Sequence, residues 1–273
     1  MAELSKKYRI SPGSRVDLKK ISPEYPGNYQ KEKESLKKEV QKLTEKMGSL
    51  QERLFAEKKQ SLLIVLQAMD TGGKDSTICS VFSSINPQGC RVYPFKKPTP
   101  LELSHHYLWR IMQKIPAKGY INIFNRSHYE DVLITRVQGQ VSKQLAKRRF
   151  KEIRDFETML SAQGTQILKF FLHISKEEQK KRLQERLDNP NKYWKFNEDD
   201  LQERKKWGQY QRYYQEAIEA TSQNYAPWFV IPSNKKWFRN RIVAEVVYGK
   251  LKKMDPAFPP PLPGFDPKKI RIP

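Results

Sequence analysis

The chain has 273 residues, 37% of them hydrophobic, with 13 Phe, 13 Tyr and 5 Trp, which suffices for one large α/β domain and excludes a disordered chain. Lys and Arg outnumber Asp and Glu by 52 to 30, a formal net charge of +22, so the expected partners are polyanions: nucleic acid, an anionic membrane or a phosphate polymer. Two cysteines, Cys79 and Cys90, are too few for a disulfide framework, and the longest aliphatic run, 62–66, is too short to span a bilayer. The opening MAELSKKYRI lacks an apolar leader core, so a reducing cytoplasm is the expected compartment.

Residues 1–30, with three prolines, two glycines and many charges, read as an extended arm. Residues 31–59 read as a helix, because Leu36, Val40, Leu43, Met47, Leu50 and Leu54 recur in steps of four and three. That seam suits a coiled-coil dimer or packing on the chain's own domain; three heptads interrupted by Gly48 favour the second. A strand–turn–helix alternation follows, with strands at 61–67, 90–95, 119–125, 166–174 and 227–231. Helices fall at about 74–85, 101–114, 128–163 in one or two pieces, 175–188, 198–222 and 235–253. Apolar strands with helical crossovers imply a parallel sheet covered on both faces, in a domain spanning 31–255. The proline-rich tail, 256–273, cannot be helical and should lie extended over the surface.

The chemistry concentrates at LLIVLQAMDTGGKDST, residues 62–77. A buried strand turns through Gly72 and Gly73 into a helix whose first N–H groups face an anion, and Lys74 adds positive charge. The motif departs from G-x-x-x-x-G-K-[ST]: Ala68 stands at the first glycine, and Asp75 replaces the hydroxyl that usually binds Mg²⁺. Asp70, inside the loop, is then the expected first metal ligand. At the end of the next strand but one, Asn125 should face the metal, and Arg126 can stabilise charge on a transferred phosphoryl group. His105, His106 and His128 have no ligand partners at zinc spacing and read as helix surface or ordinary hydrogen bonding. Tyr193, Trp194, Trp207, Tyr210, Tyr213 and Tyr214 interleave with cations in a way that suits base stacking, and read mostly as lid and core packing.

The blocks QAMDTGGKDS, YPFKKPTPLELSHHYLWR, IFNRSHYEDVLITRV, LKFFLHISKEEQKKRLQER and APWFVIPSNKKWF, in order over residues 35–250, resemble the polyphosphate kinase 2 family. The resemblance implies a P-loop kinase fold similar to thymidylate kinase: three α/β/α layers, a parallel five-stranded sheet and a helical lid. The lid is expected at roughly 128–150, possibly with part of 180–210. The implied activity is transfer of phosphoryl groups between inorganic polyphosphate and nucleotides with Mg²⁺, for which Mn²⁺ can substitute. Asp70, Lys74 and Arg126 are the implied catalytic residues. Polyphosphate would be held by Thr71, Gly72, Gly73, Lys74, Asp75, Ser76, Lys96, Lys97, Arg182 and Arg186. The nucleotide would be held by Arg110, Asn125, Arg126 and Glu130. Asp70 would bind the metal, with Asn125 and Glu130 as lesser contributors.

QAMD, FNRSHYEDV and LSHHYLWR resemble the third class of that family, which implies both AMP and ADP as acceptors and ATP as a product. A carboxylate at Glu130 stands where other classes carry an uncharged polar residue. His106 departs from the acid common in the family, and Thr71-Gly72 from its two alanines; the first would weaken an ion pair and the second loosen the loop. The expected assembly is a homo-oligomer, a dimer or tetramer, with no membrane and no specific nucleic acid as partner. The competing readings are an ATP-dependent nucleotide kinase and a non-catalytic polyanion- or RNA-binding protein.

Overall fold

The structure, a computed structural model, describes residues 3–27, 29–266 and 269–272. The parts of the expected arm and tail at residues 1, 2, 28, 267, 268 and 273 lie outside the described residues. The chain opens with helix α1 (Glu3–Lys7), strand β1 (Arg9–Ile10) and the long helix α2 (Tyr29–Glu57). Strand β2 (Ser61–Ala68) leads into α3 (Lys74–Val81), and β3 (Cys90–Pro94) into the short helices α4 (Pro100–Leu103) and α5 (Trp109–Met112). Strand β4 (Ile121–Asn125) precedes α6 (Ile134–Val137) and α7 (Lys143–Ala162), and β5 (Thr165–His173) precedes α8 (Lys176–Leu187), α9 (Asp199–Lys205) and α10 (Trp207–Thr221). Strand β6 (Trp228–Pro232) and helix α11 (Lys236–Met254) complete the domain.

The sheet runs β1-β6-β5-β2-β4-β3, parallel throughout except at β1. Because side chains alternate along a strand, β2 sends Leu63 and Val65 to one face and Leu62, Ile64 and Leu66 to the other. Phe150, Ile153 and Phe156 of α7 and Tyr214 and Ile218 of α10 cover the first face. Met47 and Leu54 of α2 and Ile242, Val243 and Val246 of α11 cover the second. This is the three-layer α/β/α architecture expected from the sequence. The α2 seam packs within its own domain: Met47 and Leu54 are fully buried, and a side chain at Gly48 would meet the Ser84 carbonyl at 2.6 Å.

Several expected elements differ. The arm is not simply extended: β1 adds a sixth strand, antiparallel to β6, and Tyr8, Val16 and Leu18 are buried. Short apolar stretches flanked by prolines give little periodic signal, so docking against the sheet edge was not legible locally. The 101–114 helix divides, because the Ser104 hydroxyl and the His105 ring both bond to the Leu101 carbonyl and compete with a continuing helix. The 128–163 stretch divides at Gly139, φ 76°, after which Ser142 caps α7. Within 128–150, where a lid was expected, Tyr129, Val132, Leu133, Ala146 and Phe150 are buried in the core, and residues of 182–200 line the cavity at the phosphate loop.

Candidate active site

The loop after β2 is held in shape from below. Tyr214 donates to the Ala68 carbonyl (3.0 Å), Gln179 to the Asp70 carbonyl (3.0 Å) and Arg182 to the Thr71 carbonyl (3.1 Å). Gly73 has φ 98°, open to glycine, while Thr71 is held at φ 61°. A Cβ at Gly72 would meet the Ala68 Cβ at 2.4 Å, so this position requires glycine here and does not loosen a loop tied by three side chains. Lys74 begins α3, and its ammonium reaches the Ala68 carbonyl at 3.3 Å. Burial, with the neighbouring Arg126 charge, lowers its proton affinity.

Across the loop, the ends of β4 and β3 close a cavity of about 550 Å³ at the C-terminal edge of the sheet, where α/β folds place their ligands. Asn125 donates to Asp75 Oδ1 at 2.6 Å, and Arg126, in left-handed backbone at φ 64°, donates to Asp70 Oδ1 at 2.8 Å. Glu130 and then Asp70, against the effect of burial, raise the Arg126 guanidinium further, so it is a permanent cation. The opposite wall comes from α8 and the segment after it.

The cavity is lined by Asp70, Thr71, Gly72, Gly73, Lys74, Asp75 and Ser76, and also by Lys96, Lys97, Asn125, Arg126, Arg182 and Arg186. Two expected residues are not among its walls. Arg110 donates to the Lys96 carbonyl (2.9 Å) and lies against Glu102 and the Phe95 ring, so it braces the Lys96-Lys97 turn. Glu130 acts on Arg126 and Lys74 through its charge. Arg182 lines the cavity, but its guanidinium is engaged by Glu178 and by the Thr71, Ser233 and Asn234 carbonyls, so it supports the loop. Arg186 is tied to the Lys195 carbonyl and Asp200.

Sequence reasoning missed Arg239, Asp200 and three wall lysines, Lys192, Lys195 and Lys236. Arg239 is fully buried in α11; it donates to Ser76 Oγ (3.0 Å), and a Cβ at Gly73 would lie 1.9 Å from its Nη1. That Nη1 has no hydrogen-bond partner, and no carboxylate pairs with Arg239 among the described residues. Burial and then Arg182 push its guanidinium down to about 9. Its only sequence signal is adjacency: the motif block APWFVIPSNKKWF ends one residue before it. His128 is not on the surface but fully buried, 3.5 Å from Glu157, because the turn after Ser127 folds into the core. Tyr193 and Trp194 are exposed, whereas Tyr210 and Tyr214 pack in the core.

A family model described as polyphosphate kinase 2 matches residues 30–259. The chain belongs to the polyphosphate kinase 2 family. It is 49% identical over 256 residues to an AMP/ADP-polyphosphate phosphotransferase of Meiothermus ruber, covering 94% of this chain and 96% of that protein. An ADP-polyphosphate phosphotransferase of Rhodopseudomonas palustris is 38% identical, over 95% of this chain and 93% of that one. The crystal structure of polyphosphate kinase 2 from Arthrobacter aurescens superposes with a TM-score of 0.91 at 41% identity, covering 96% of this chain and 93% of its own.

Proposed function

We propose that this polyphosphate kinase 2 transfers the terminal phosphoryl group of inorganic polyphosphate to AMP and ADP, giving ADP and ATP. The make-up of the cavity carries the reading: nine of its lining side chains are basic against four acidic, and apart from glycines only Pro94 and Phe95 are apolar. Such walls suit a donor made of phosphate alone, without base or ribose. In the transfer, an oxygen of the nucleotide phosphate attacks the terminal phosphorus. The bridging P–O bond breaks, and its electron pair leaves with the shortened polymer. Lys74 and Arg126 offset charge on the transferring group, and the tied loop holds it in line, so catalysis is positioning and electrostatics.

Mg²⁺ fits the donor set as a substrate-borne ion. Among the described residues no cluster of three or more His, Cys, Asp or Glu forms a metal cage, and Mg²⁺ is commonly held by one or two carboxylates plus phosphate oxygens. Asp70 would hold it, with Glu130 and Asn125 as weaker contributors, and the ion would draw electron density from phosphate oxygens. Asn125 is already engaged with Asp75, which reduces its share.

Cys79 and Cys90 are unpaired, which suits a reducing cytoplasm, and no helix among the described residues is long and apolar enough to cross a membrane. A homo-oligomer is supported by the exposed apolar side chains Phe258, Leu262 and Phe265 of the tail, and light scattering measures it. The deciding assay supplies polyphosphate or ATP as donor with AMP or ADP as acceptor, and follows every nucleotide. Product from polyphosphate with both acceptors is expected. Turnover with ATP and AMP alone would make the chain an ordinary nucleotide kinase. Glu130 acts through its charge on Lys74 and Arg126, which serve transfer to either acceptor, so Glu130→Gln should lower kcat/KM for AMP and for ADP alike, by about tenfold, a change of about 1.4 kcal/mol.

A further inference from the structure

The arm at the start of the chain lies before the residues matched by the family model, 30–259, and it docks at two separate places. Residues 8–18 dock at the β6 edge of the sheet: β1 pairs with β6, Tyr8, Val16 and Leu18 are buried, and the Val16 N–H donates to Glu219 (2.6 Å). Residues 21–25 instead cross the C-terminal ends of β5 and β6, on the side of the sheet that carries the phosphate loop. There the His173 ring donates to the Ile21 carbonyl (3.1 Å), and the Asn234 N–H donates to the Pro23 carbonyl (3.1 Å). Pro23 and Pro26 fix their own φ angles and bias Ser22 and Tyr25 toward extended backbone, so the stretch is set in shape before it docks.

Asn234 is where this second docking point meets the supports of the loop. The residue is buried, and its Nδ2 donates to the Glu24 carboxylate of the arm and to Ser175 Oγ (3.2 Å). Its Oδ1 accepts from the Ser175 N–H (3.0 Å). Ser175 is the N-cap of α8, whose Gln179 and Arg182 hold the Asp70 and Thr71 carbonyls. Arg182 also donates to the Ser233 (2.6 Å) and Asn234 (3.2 Å) carbonyls. A continuous set of contacts thus runs from Glu24 through Asn234 to α8 and Arg182, and ends on Thr71. Thr71 stands at φ 61°, a strained backbone that persists only while its surroundings hold it. A second tie runs beside the first. The Tyr25 ring packs edge-on against Trp237 and Phe238, with centroids 4.7 Å away in each case, next to the Arg239 that lies beneath Gly73.

We propose that residues 21–25 of the arm brace the phosphate loop, with Asn234 as the positioning residue that transmits the brace, so that the loop is formed before the phosphate donor arrives. The identity of that donor rests on the polyphosphate reading above; the brace does not. Residues 8–18 already hold the arm to the sheet, so the contacts of 21–25 are not needed to keep it attached. A loop that is competent only part of the time weakens the apparent affinity for the donor by that fraction, and leaves turnover of the bound complex unchanged.

The test swaps the two polar groups. Asn234→Asp sets a second carboxylate against Glu24 while keeping an acceptor for the Ser175 N–H, and adding Glu24→Gln restores the hydrogen bond with donor and acceptor exchanged. Asn234→Asp should raise the KM for polyphosphate about fivefold or more, with kcat and the KM for ADP within about twofold of wild type. The double variant should recover most of that rise. Glu24→Ala alone, at an exposed position, should give the same selective rise at smaller size. Amide hydrogen exchange on the enzyme without substrate gives a second readout: the amides of 69–74 should exchange about fivefold or more faster in Asn234→Asp, and near the wild-type rate in the double variant. A fall in kcat at unchanged KM, which is what a smaller folded fraction gives, overturns the proposal. So does a loop that exchanges at the wild-type rate in Asn234→Asp. A wild type that does not use polyphosphate, yet shows the exchange difference, would overturn the donor reading and support the brace, so the two failures are distinguishable.

Discussion

Arg126 Nη2 donates to Asp70 Oδ1 at 2.8 Å, joining the end of β4 to the loop that follows β2. The two strands are parallel neighbours, with Leu66 opposite Asn125, so the sheet itself sets how closely these two side chains approach. The pair places the expected metal ligand beside the cation expected to meet the transferring phosphate.

The pair is for chemistry more than for stability. Both side chains are about a third exposed, at 37% and 27%, and pairs of that kind contribute about 1 kcal/mol or less. Asp70→Asn and Arg126→Ala should each lower kcat by about 10²–10³-fold. Their thermal melts should stay close to wild type, and differential scanning calorimetry beside steady-state kinetics checks both halves.

Arg239 gives the opposite signature to a structural ion pair. A buried cation with no carboxylate partner is costly to keep, so replacing it with an apolar side chain of similar size relieves the fold. Arg239→Met is expected to match or exceed the wild-type melting temperature. Its KM for polyphosphate should nonetheless rise about fivefold or more, and Arg239→Lys should recover part of that. A variant that loses stability without a change in KM would assign Arg239 a purely structural role.

The polymer affinity should depend on pH through Asp200. Burial, and then the nearby Asp70 charge, lift its carboxyl to about 6, with Arg186 pulling the other way. Below that pH the group is neutral and adds no repulsion toward a polyanion; above it, a carboxylate faces the phosphates. The KM for polyphosphate should therefore gain a rising component as pH climbs through about 6, and Asp200→Asn should remove that component, leaving the smaller pH dependence of the phosphates themselves. Initial rates at saturating ADP between about pH 5 and 8 measure this.

A separate prediction concerns stability. Lys169 projects from the middle of β5 into the core, where its ammonium donates to Glu157 (2.6 Å), the Tyr129 hydroxyl (2.9 Å) and the Thr221 carbonyl (2.8 Å). Burial opposes ionisation of Glu157, and Lys169 and His128 together more than offset it, so its carboxyl lies below the usual range. Glu157→Gln leaves that cation without its counter-charge and should cost about 3–5 kcal/mol of stability in urea melts. The double variant Glu157→Gln, Lys169→Met should recover much of it.

The phosphate loop, the order of the strands in the chain and the basic character were legible in the sequence because each is a local or summed property. A run such as Leu62–Leu66 followed by Gly72, Gly73 and Lys74 constrains its own backbone, and +22 needs no coordinates. Only the tertiary structure decided what long-range contacts decide. β1 docks on β6 across more than 200 residues, Lys169 meets a carboxylate twelve residues before it, and Arg239 of the last helix comes beneath Gly73. The expected lid at 128–150 became core for the same reason: Tyr129 and Phe150 have no periodic signature that distinguishes a cover from a wall, and burial is settled by what packs against them. The sequence by itself pointed to phosphate as the ligand and to the loop proposed to hold it. Tertiary packing determined which cations surround that loop, because charge acts across space and the chain brings it there from five separate segments.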